Sequence, residues 1–166
     1  MAKLAGAQME VNSQERGAAG DQTPRLAIIL IAVLALIQMP RIGAFELAQD
    51  VFAGHDSAAW LYPAFVDVFI GITAPFVAFA IWRRTGLAVW VAAVLWFTIS
   101  IFDIFDAVTN VLNVAGPLPH SLPFQSRQTF VAYLLVSLVF QGTAIAWLTR
   151  GKMRERYFGS LGTRSQ

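Results

Sequence analysis

The residues most capable of chemistry in this chain are carboxylates set in apolar sequence. Residues 98–112 read TISIFDIFDAVTNVL, which places Asp103 and Asp106 among aliphatic and aromatic side chains, with Asn110 one helical turn further on. Asp67 lies in a similar setting, within LYPAFVDVFIGITAPF. A carboxylate taken out of water has to pair with a cation, bind a proton or keep some access to solvent. These acids therefore predict a polar site inside an otherwise apolar protein.

The composition indicates where such a site would lie. The 166-residue chain is 57% hydrophobic and 13% charged, whereas a soluble domain carries about a quarter charged residues. The apolar residues form four runs of about 20 residues, the length needed to cross a hydrocarbon core of about 30 Å. These runs are residues 26–47, 62–82, 87–108 and 129–148. The predicted fold is an all-α integral membrane protein, with residues 24–149 forming a four-helix transmembrane bundle.

The distribution of basic residues predicts the orientation. Ten of the 12 Lys and Arg residues fall in the two tails, at the start of the first run or in the turn after the second. They are Lys3, Arg16, Arg25, Arg83, Arg84, Arg150, Lys152, Arg154, Arg156 and Arg164. Because cytoplasmic segments of membrane proteins are enriched in Lys and Arg, both termini are expected in the cytoplasm (N-in/C-in) and the protein in the cell inner membrane.

Two segments flank the predicted bundle. Residues 1–23 are rich in Gly, Ala and polar residues, which predicts a disordered cytoplasmic tail. Residues 150–166 are expected to form a basic cytoplasmic tail that touches anionic lipid. Nucleic acid is not expected as a partner, because the basic residues are placed at the membrane surface instead.

Several cofactor classes are excluded by residue type. The chain has no cysteine, so it cannot form disulfides, iron–sulfur clusters or thiolate metal sites. His55 and His120 both fall in predicted loops, which argues against a haem held between spans. Lys3 and Lys152 lie outside the spans, which rules out a retinal Schiff base within the bundle. We therefore predict no metal and no cofactor.

One polar residue of each predicted span falls at the same depth. Arg41, Asp67, Asp103 and Tyr133 each lie fifteen or sixteen residues from the cytoplasmic end of their span. At a rise of about 1.5 Å per residue, that places all of them at roughly 22–24 Å. We therefore expect these four side chains to meet in the outer half of the bundle.

The faces of the first two spans support this meeting point. In the second span Gly71 and Ala74 share a face with Asp67, and the bulky aromatic residues share the opposite face. Small residues favour helix–helix contact, so Asp67 is expected to point inward. In the first span Gln38 lies one turn before the arginine, and Pro40 is expected to kink the helix there.

The third and fourth spans also carry polar faces. Trp96, Asp103, Asp106 and Asn110 recur at helical spacing on the third span. A polar seam follows the fourth span at Thr129, Tyr133, Ser137 and Gln141. The candidate ligand-binding residues are accordingly Gln38, Arg41, Trp96, Asp106, Asn110 and Tyr133.

Charge pairing in the predicted cluster is unequal. Arg41 is the only cation deep enough to pair with Asp67 or Asp103, with Tyr133 and Gln38 expected to donate hydrogen bonds. A single guanidinium cannot neutralise two or three carboxylates. At least one acid is therefore expected to be protonated, bound to a cation or reached by water from outside.

Three functions fit these features. The first is a binding or accessory subunit of a membrane assembly, in which the polar core stabilises the bundle. Its expected partners are membrane lipid, a second copy of the chain or a larger membrane complex. The second is a transporter component that handles protons, cations or amphipathic amines. A hydrophobic or cationic small ligand is a further expected partner.

The third function is an acid-catalysed isomerase or cyclase acting on an isoprenoid-like lipid. Asp103 would be the proton donor and Asp67 its ionised partner, the catalytic pair of this hypothesis. Trp96 and Tyr133 would stabilise the resulting carbocation through their rings.

Overall fold

A computed structural model describes residues 25–83, 85–114, 117–124 and 126–158. The expected disordered tail, residues 1–23, lies outside these described residues. The described chain contains six α-helices and two short 3₁₀ segments. The helices are α1 (residues 25–36), α2 (Ala44–Phe52), α3 (Leu61–Arg83), α4 (Leu87–Asn113), α5 (Arg127–Leu148) and α6 (Gly151–Phe158), and the 3₁₀ segments are Met39–Gly43 and Ala58–Trp60.

The prediction of an all-helical protein with four helices of membrane-spanning length is confirmed. The four candidate spans are Arg25–Phe52, Ala58–Arg83, Leu87–Asn113 and Arg127–Leu148. The first three extend several residues past their predicted ends on the side of the two longer loops. We call this side, which carries residues 53–60 and 117–124, the loop end, and the opposite side, which carries α6, the turn end.

The first span is long enough to cross a membrane, but it is not a single regular α-helix. Its α-helical geometry stops at residue 36, and the chain continues as the 3₁₀ segment Met39–Gly43 before α2 begins. Pro40 stands at the start of that segment, where its missing N–H and its ring exclude a regular α-helix. The interruption turns Arg41 toward α3 and α4.

Burial on α3 follows the division of its faces into small and bulky residues. The side bearing Gly71 and Ala74 is buried, and so is Ala78 one turn further. The opposite side is exposed and carries the large residues Phe65, Phe69, Ile72, Phe76 and Phe79. Small buried residues allow close helix approach, so α3 packs against the 3₁₀ segment, α2 and α4 at once.

Two polar side chains tie the loop end together. Arg127 donates from Nη1 to the carbonyl of Val111 at 2.9 Å and from Nη2 to that of Val114 at 2.8 Å. It therefore satisfies carbonyls that the end of α4 would otherwise leave without partners. Asn110 donates from Nδ2 to the carbonyl of Ala59 at 2.8 Å, which joins α4 to the second 3₁₀ segment.

Part of the expected basic tail is a helix docked on the turn end. The α6 residues Met153 and Tyr157 are buried, and the Tyr157 hydroxyl donates to the carbonyl of Ile81 at 3.0 Å. Trp90 donates from Nε1 to the carbonyl of Leu148 at 2.8 Å and meets Phe158 edge-on, with ring centroids 5.2 Å apart. Burial raises the pKa of the Tyr157 hydroxyl, and the nearby Arg156 charge opposes that rise.

The helices of the loop half pack in chain order. α2 packs on α3, α3 on α4, and α4 on α5, but in the described chain α2 and α5 do not pack closely against each other. In the loop half, α2 and α5 both contribute residues to the wall of a cavity, which is part of the candidate site.

Candidate functional site

The side chain of Arg41 is the centre of the site. Its Nε donates to Oδ1 of Asp67, its Nη2 to Oδ2 of Asp103 and its Nη1 to Oγ of Ser100. Arg41 lies on the 3₁₀ segment, Asp67 on α3, and the other two acceptors on α4. One guanidinium thus connects three elements through charge-assisted hydrogen bonds, the stronger class of such bonds.

The three charged side chains of the cluster differ in how far they are exposed. The side chain of Asp103 is 1% exposed, that of Arg41 11% and that of Asp67 26%. Oδ2 of Asp103 accepts from the guanidinium, but its Oδ1 is buried with no hydrogen-bond partner among the described residues. Oδ1 of Asp103 is therefore a buried acceptor that the described part of the chain does not satisfy.

A cavity of about 370 Å³ lies against this cluster. Its wall includes five polar residues that the sequence placed near one another, Gln38, Arg41, Asp67, Asp103 and Tyr133. The rest of the wall is largely apolar and comes from every element of the loop half. These residues include Leu47, Trp60, Pro63, Ile104, Ala107, Phe130 and Leu134.

The loop between α4 and α5 covers the loop end of the cavity. Leu122, Pro123 and Phe124 line the cavity from this loop. The ring of Phe124 lies 4.9 Å from that of Phe130 and 5.1 Å from that of Tyr133, centroid to centroid. We call residues 121–124 the lid, because they place apolar side chains between the cavity and the loop end.

Gln38 and Tyr133, which were predicted to donate hydrogen bonds to the ion pair, both line the cavity but do not donate to it. Gln38 is buried and donates from Nε2 to the carbonyl of Leu34 at 3.4 Å. Tyr133 is 46% exposed, and its hydroxyl has no hydrogen bond in the described chain. Ser100 instead supplies the third acceptor for Arg41.

Three other candidate residues do not line this cavity. Trp96 is buried and donates from Nε1 to Oγ1 of Thr73 at 2.8 Å, so its ring joins α4 to α3. Asn110 serves the contact with the second 3₁₀ segment described above. Asp106 is half-buried, one turn beyond Asp103, and is absent from the cavity wall.

Sequence reasoning missed two polar residues of the site. Ser100 lies one turn before Asp103 on the same buried face of α4, so helical spacing alone could have identified it. Glu46, on α2, also lines the cavity. Its role was hidden because it follows the break at Pro40, after which counting along a single straight helix no longer gives the right face.

One polar side chain lies beyond the cavity toward the turn end. Gln141 on α5 is 1% exposed, and neither its Oε1 nor its Nε2 has a hydrogen-bond partner in the described residues. It lies one turn past Ser137, which lines the cavity. The polar face of α5 therefore continues from Ser137 to Gln141, on the turn-end side of the acid cluster.

Within the described ranges, no group of three or more His, Asp or Glu side chains is placed to hold a metal. The site combines a largely apolar cavity wall with the guanidinium of Arg41 and the carboxyl groups of Glu46, Asp67 and Asp103. Comparisons with protein-family models, with curated proteins and with solved structures found no match to this chain.

Proposed function

We propose that this chain is an integral membrane protein that binds a small hydrophobic molecule carrying one positive charge in the cavity beside Arg41. The observation that carries the proposal is the cavity wall beside Arg41 and Asp67, where Asp103 has a buried Oδ1 with no hydrogen-bond partner among the described residues. A buried acceptor left without a donor costs about 1–3 kcal/mol, and more when it is charged. An ammonium group in the cavity would bring a hydrogen-bond donor and a positive charge next to this carboxyl group.

The charges of the cavity wall support a cationic ligand. Three carboxyl groups line it, those of Glu46, Asp67 and Asp103, against the single guanidinium of Arg41. An anionic or neutral ligand would leave the excess acid without a counter-charge in an environment where unpaired charges are expensive. A ligand with one ammonium group reduces that excess, and its N–H groups can donate hydrogen bonds to the carboxyl groups of the wall.

The apolar part of the wall supports a hydrophobic body on the same ligand. Trp60, Phe130 and Leu134 are buried and face the cavity. Ligand pockets of this size class are mainly apolar, with a few polar groups that fix orientation. The protein would therefore recognise an amphipathic amine by its charge at one end and its hydrocarbon at the other.

The proposal places the protein in the cell inner membrane with both termini in the cytoplasm. The four long apolar helices and the concentration of Lys and Arg at the turn end and in the tails support this orientation. Single cysteines can be introduced at Ala53 and Thr85 without background, because the chain contains none. A membrane-impermeant maleimide should label position 53 in intact cells and position 85 only after permeabilisation; labelling of 85 in intact cells would refute the orientation.

Binding can be tested with two ligands that differ only in charge. For the protein in lipid nanodiscs, octylamine should bind and 1-octanol should bind far more weakly, as followed by the change in tryptophan fluorescence. Asp103→Asn should weaken octylamine binding by about 10- to 100-fold, the equivalent of a charge-assisted hydrogen bond of about 1.5–3 kcal/mol.

Asp106→Asn is the matched control, since Asp106 lies one turn away on α4 but outside the cavity wall. Octylamine affinity should be unchanged in this variant. Equal binding of octylamine and 1-octanol, or an equal loss in the two variants, would contradict the proposal.

We propose binding rather than conduction because the turn half of the protein is apolar. The buried residues that surround its axis include Ile28, Ile31, Ile81, Phe97 and Leu148, which offer no polar route past Gln141. The transporter component and the acid-catalysed isomerase or cyclase stay predictions.

The role as an accessory subunit of a membrane assembly also stays a prediction, and it is compatible with ligand binding. The exposed aromatic face of α3 suits either lipid or a partner helix. Purification in a mild detergent distinguishes the two: a stable monomer without co-purifying chains would argue against the accessory role.

A further inference from the structure

The cavity is covered toward the loop end and accessible from the side. Leu122, Pro123 and Phe124 of the lid stand over it, and Phe124 packs against both Phe130 and Tyr133. Leu122 and Phe124 also pack against the buried core of the loop half. A ligand arriving from water at the loop end would have to displace this apolar layer.

The side opening lies between α2 and α5. These two helices do not pack closely against each other in the described chain, although both contribute to the cavity wall. Glu46 on α2 and Tyr133 on α5 line the cavity and are both exposed. Residues that are exposed and also line the cavity mark where it reaches the surface. Besides Glu46 and Tyr133 they are Pro40 and Gly43, which directly precede α2, and Pro123 in the lid.

We propose that the ligand enters through this opening directly from the bilayer, and that the natural ligands are therefore amines that partition into membranes. This inference rests on the proposed function, because it names the class and the route of the ligand for the same site. Arg41, Asp67 and Asp103 lie nine to eleven residues from the loop ends of their candidate spans, about 14–17 Å at a rise of 1.5 Å per residue. At that depth an opening between two spans faces the hydrocarbon core, which is about 30 Å thick, and not water.

The route follows from the order of contacts along the opening. Glu46, exposed on α2, is the first carboxylate that an ammonium group meets as it leaves the interface. Asp67, 26% exposed, lies further in, and Asp103, 1% exposed, lies deepest. The amine thus passes between carboxylates of decreasing exposure and stays near a counter-charge, while its hydrocarbon chain remains in contact with apolar side chains.

The opening can be tested without any ligand. A nitroxide label at Ser137→Cys would report from the cavity wall, and one at Val136→Cys is the control, since Val136 is the adjacent α5 residue and is 52% exposed. In nanodiscs both labels should collide with membrane-dissolved oxygen and be protected from the aqueous nickel complex NiEDDA. Access of NiEDDA to position 137, or exclusion of both reagents from it, would overturn lateral entry.

A bulky side chain introduced at the opening tests the proposed entry route by its effect on ligand association. Gly43 lines the cavity, has a helical φ of −62°, and a side chain at its Cβ would point into open space. Gly43→Phe should therefore slow the association of octylamine delivered from lipid vesicles several-fold. Gly142→Phe is the matched control, since its Cβ also has open space and it lies outside the cavity wall.

The two proposals fail in different ways. If octylamine does not bind the wild-type protein, the proposed function is wrong, and the label experiment still decides whether the cavity opens to the bilayer. If octylamine binds but Gly43→Phe associates as fast as the wild type, the lateral route is wrong and the binding function stands.

Discussion

Gly71 on α3 lies directly against the backbone of Ile42. A Cβ built on Gly71 would stand 2.5 Å from the Ile42 nitrogen and 3.1 Å from the Arg41 carbonyl carbon. The contact involves backbone on the opposing side, which cannot move away by changing a rotamer. The absence of a side chain at position 71 therefore lets the 3₁₀ segment approach α3 closely enough for Arg41 to reach Asp67 and Asp103.

Gly71→Ala should destabilise the protein because the 3₁₀ segment has to shift to admit the methyl group. Overpacking of this kind costs about 1–3 kcal/mol, which thermal unfolding of the detergent-solubilised protein would measure as a lower midpoint. Gly142→Ala is the control: its Cβ has open space, and alanine within a helix is favoured over glycine by about 0.5–1 kcal/mol. Equal midpoints for the two variants would show that the close approach is not tight.

Arg41→Met should destabilise the protein more than any other single change in the cluster. It leaves the carboxylates of Asp67 and Asp103 without their cation, and breaking a buried ion pair by removing one partner costs about 3–5 kcal/mol. Unfolding by denaturant in mixed micelles would measure the loss. Combining Arg41→Met with Asp103→Asn should recover part of it, because the deepest uncompensated charge is then gone. A double variant no more stable than Arg41→Met would contradict this explanation.

The common depth of Arg41, Asp67 and Asp103 could be predicted because depth depends mainly on the number of residues from the end of each span. Each residue is separated from its helix end by a nearly equal number of residues, so a constant rise per residue brings them to one level. The face of α3 was readable as well, since small and bulky residues alternate with the helical period. Helix length, helix face and charge pairing are all local or additive properties of the sequence.

The remaining features depend on irregular backbone, which a helical period does not describe. Glu46 lines the cavity because the α-helix of the first span is interrupted after residue 36. The lid is a loop, and its position depends on the packing of Phe124 against Phe130. The contact of Trp96 with Thr73 likewise depends on the relative rotation of α3 and α4. Long-range packing decides each of these, and no spacing in the sequence encodes it.

Gln141→Leu should leave the stability unchanged or raise it. Both amide atoms of Gln141 are buried without partners in the described chain, and replacing an unsatisfied polar group with an apolar one of similar size removes its desolvation cost. The thermal midpoint in detergent provides the measurement. A clear decrease would show that the amide binds ordered water, which in buried sites satisfies polar groups of this kind.

Arg127→Met should loosen the end of α4 while keeping the length of the side chain. Two hydrogen bonds to the carbonyls of Val111 and Val114 are lost, each worth about 0.5–1.5 kcal/mol, and more from a charged donor. Hydrogen–deuterium exchange should become faster at the amides of the last turn of α4 and of residues 117–124. Exchange at the α3 amides near Gly71 is the internal control and should not change.

The docking of α6 should weaken at high pH. Burial raises the pKa of the Tyr157 hydroxyl above its ordinary value of 10.0, so the docked state keeps its proton at pH values where an undocked tyrosine releases it. Docking free energy is therefore full below about pH 10 and decreases as the pH rises past that value. A nitroxide at the exposed position Lys152→Cys should show a more mobile spectrum above this pH.

In the same labelled background, Tyr157→Phe removes the ionising group but keeps the buried ring and the contacts of Met153 and Phe158. Its spectrum should not change over the same range, and a transition that persists in this variant would assign the effect to another group.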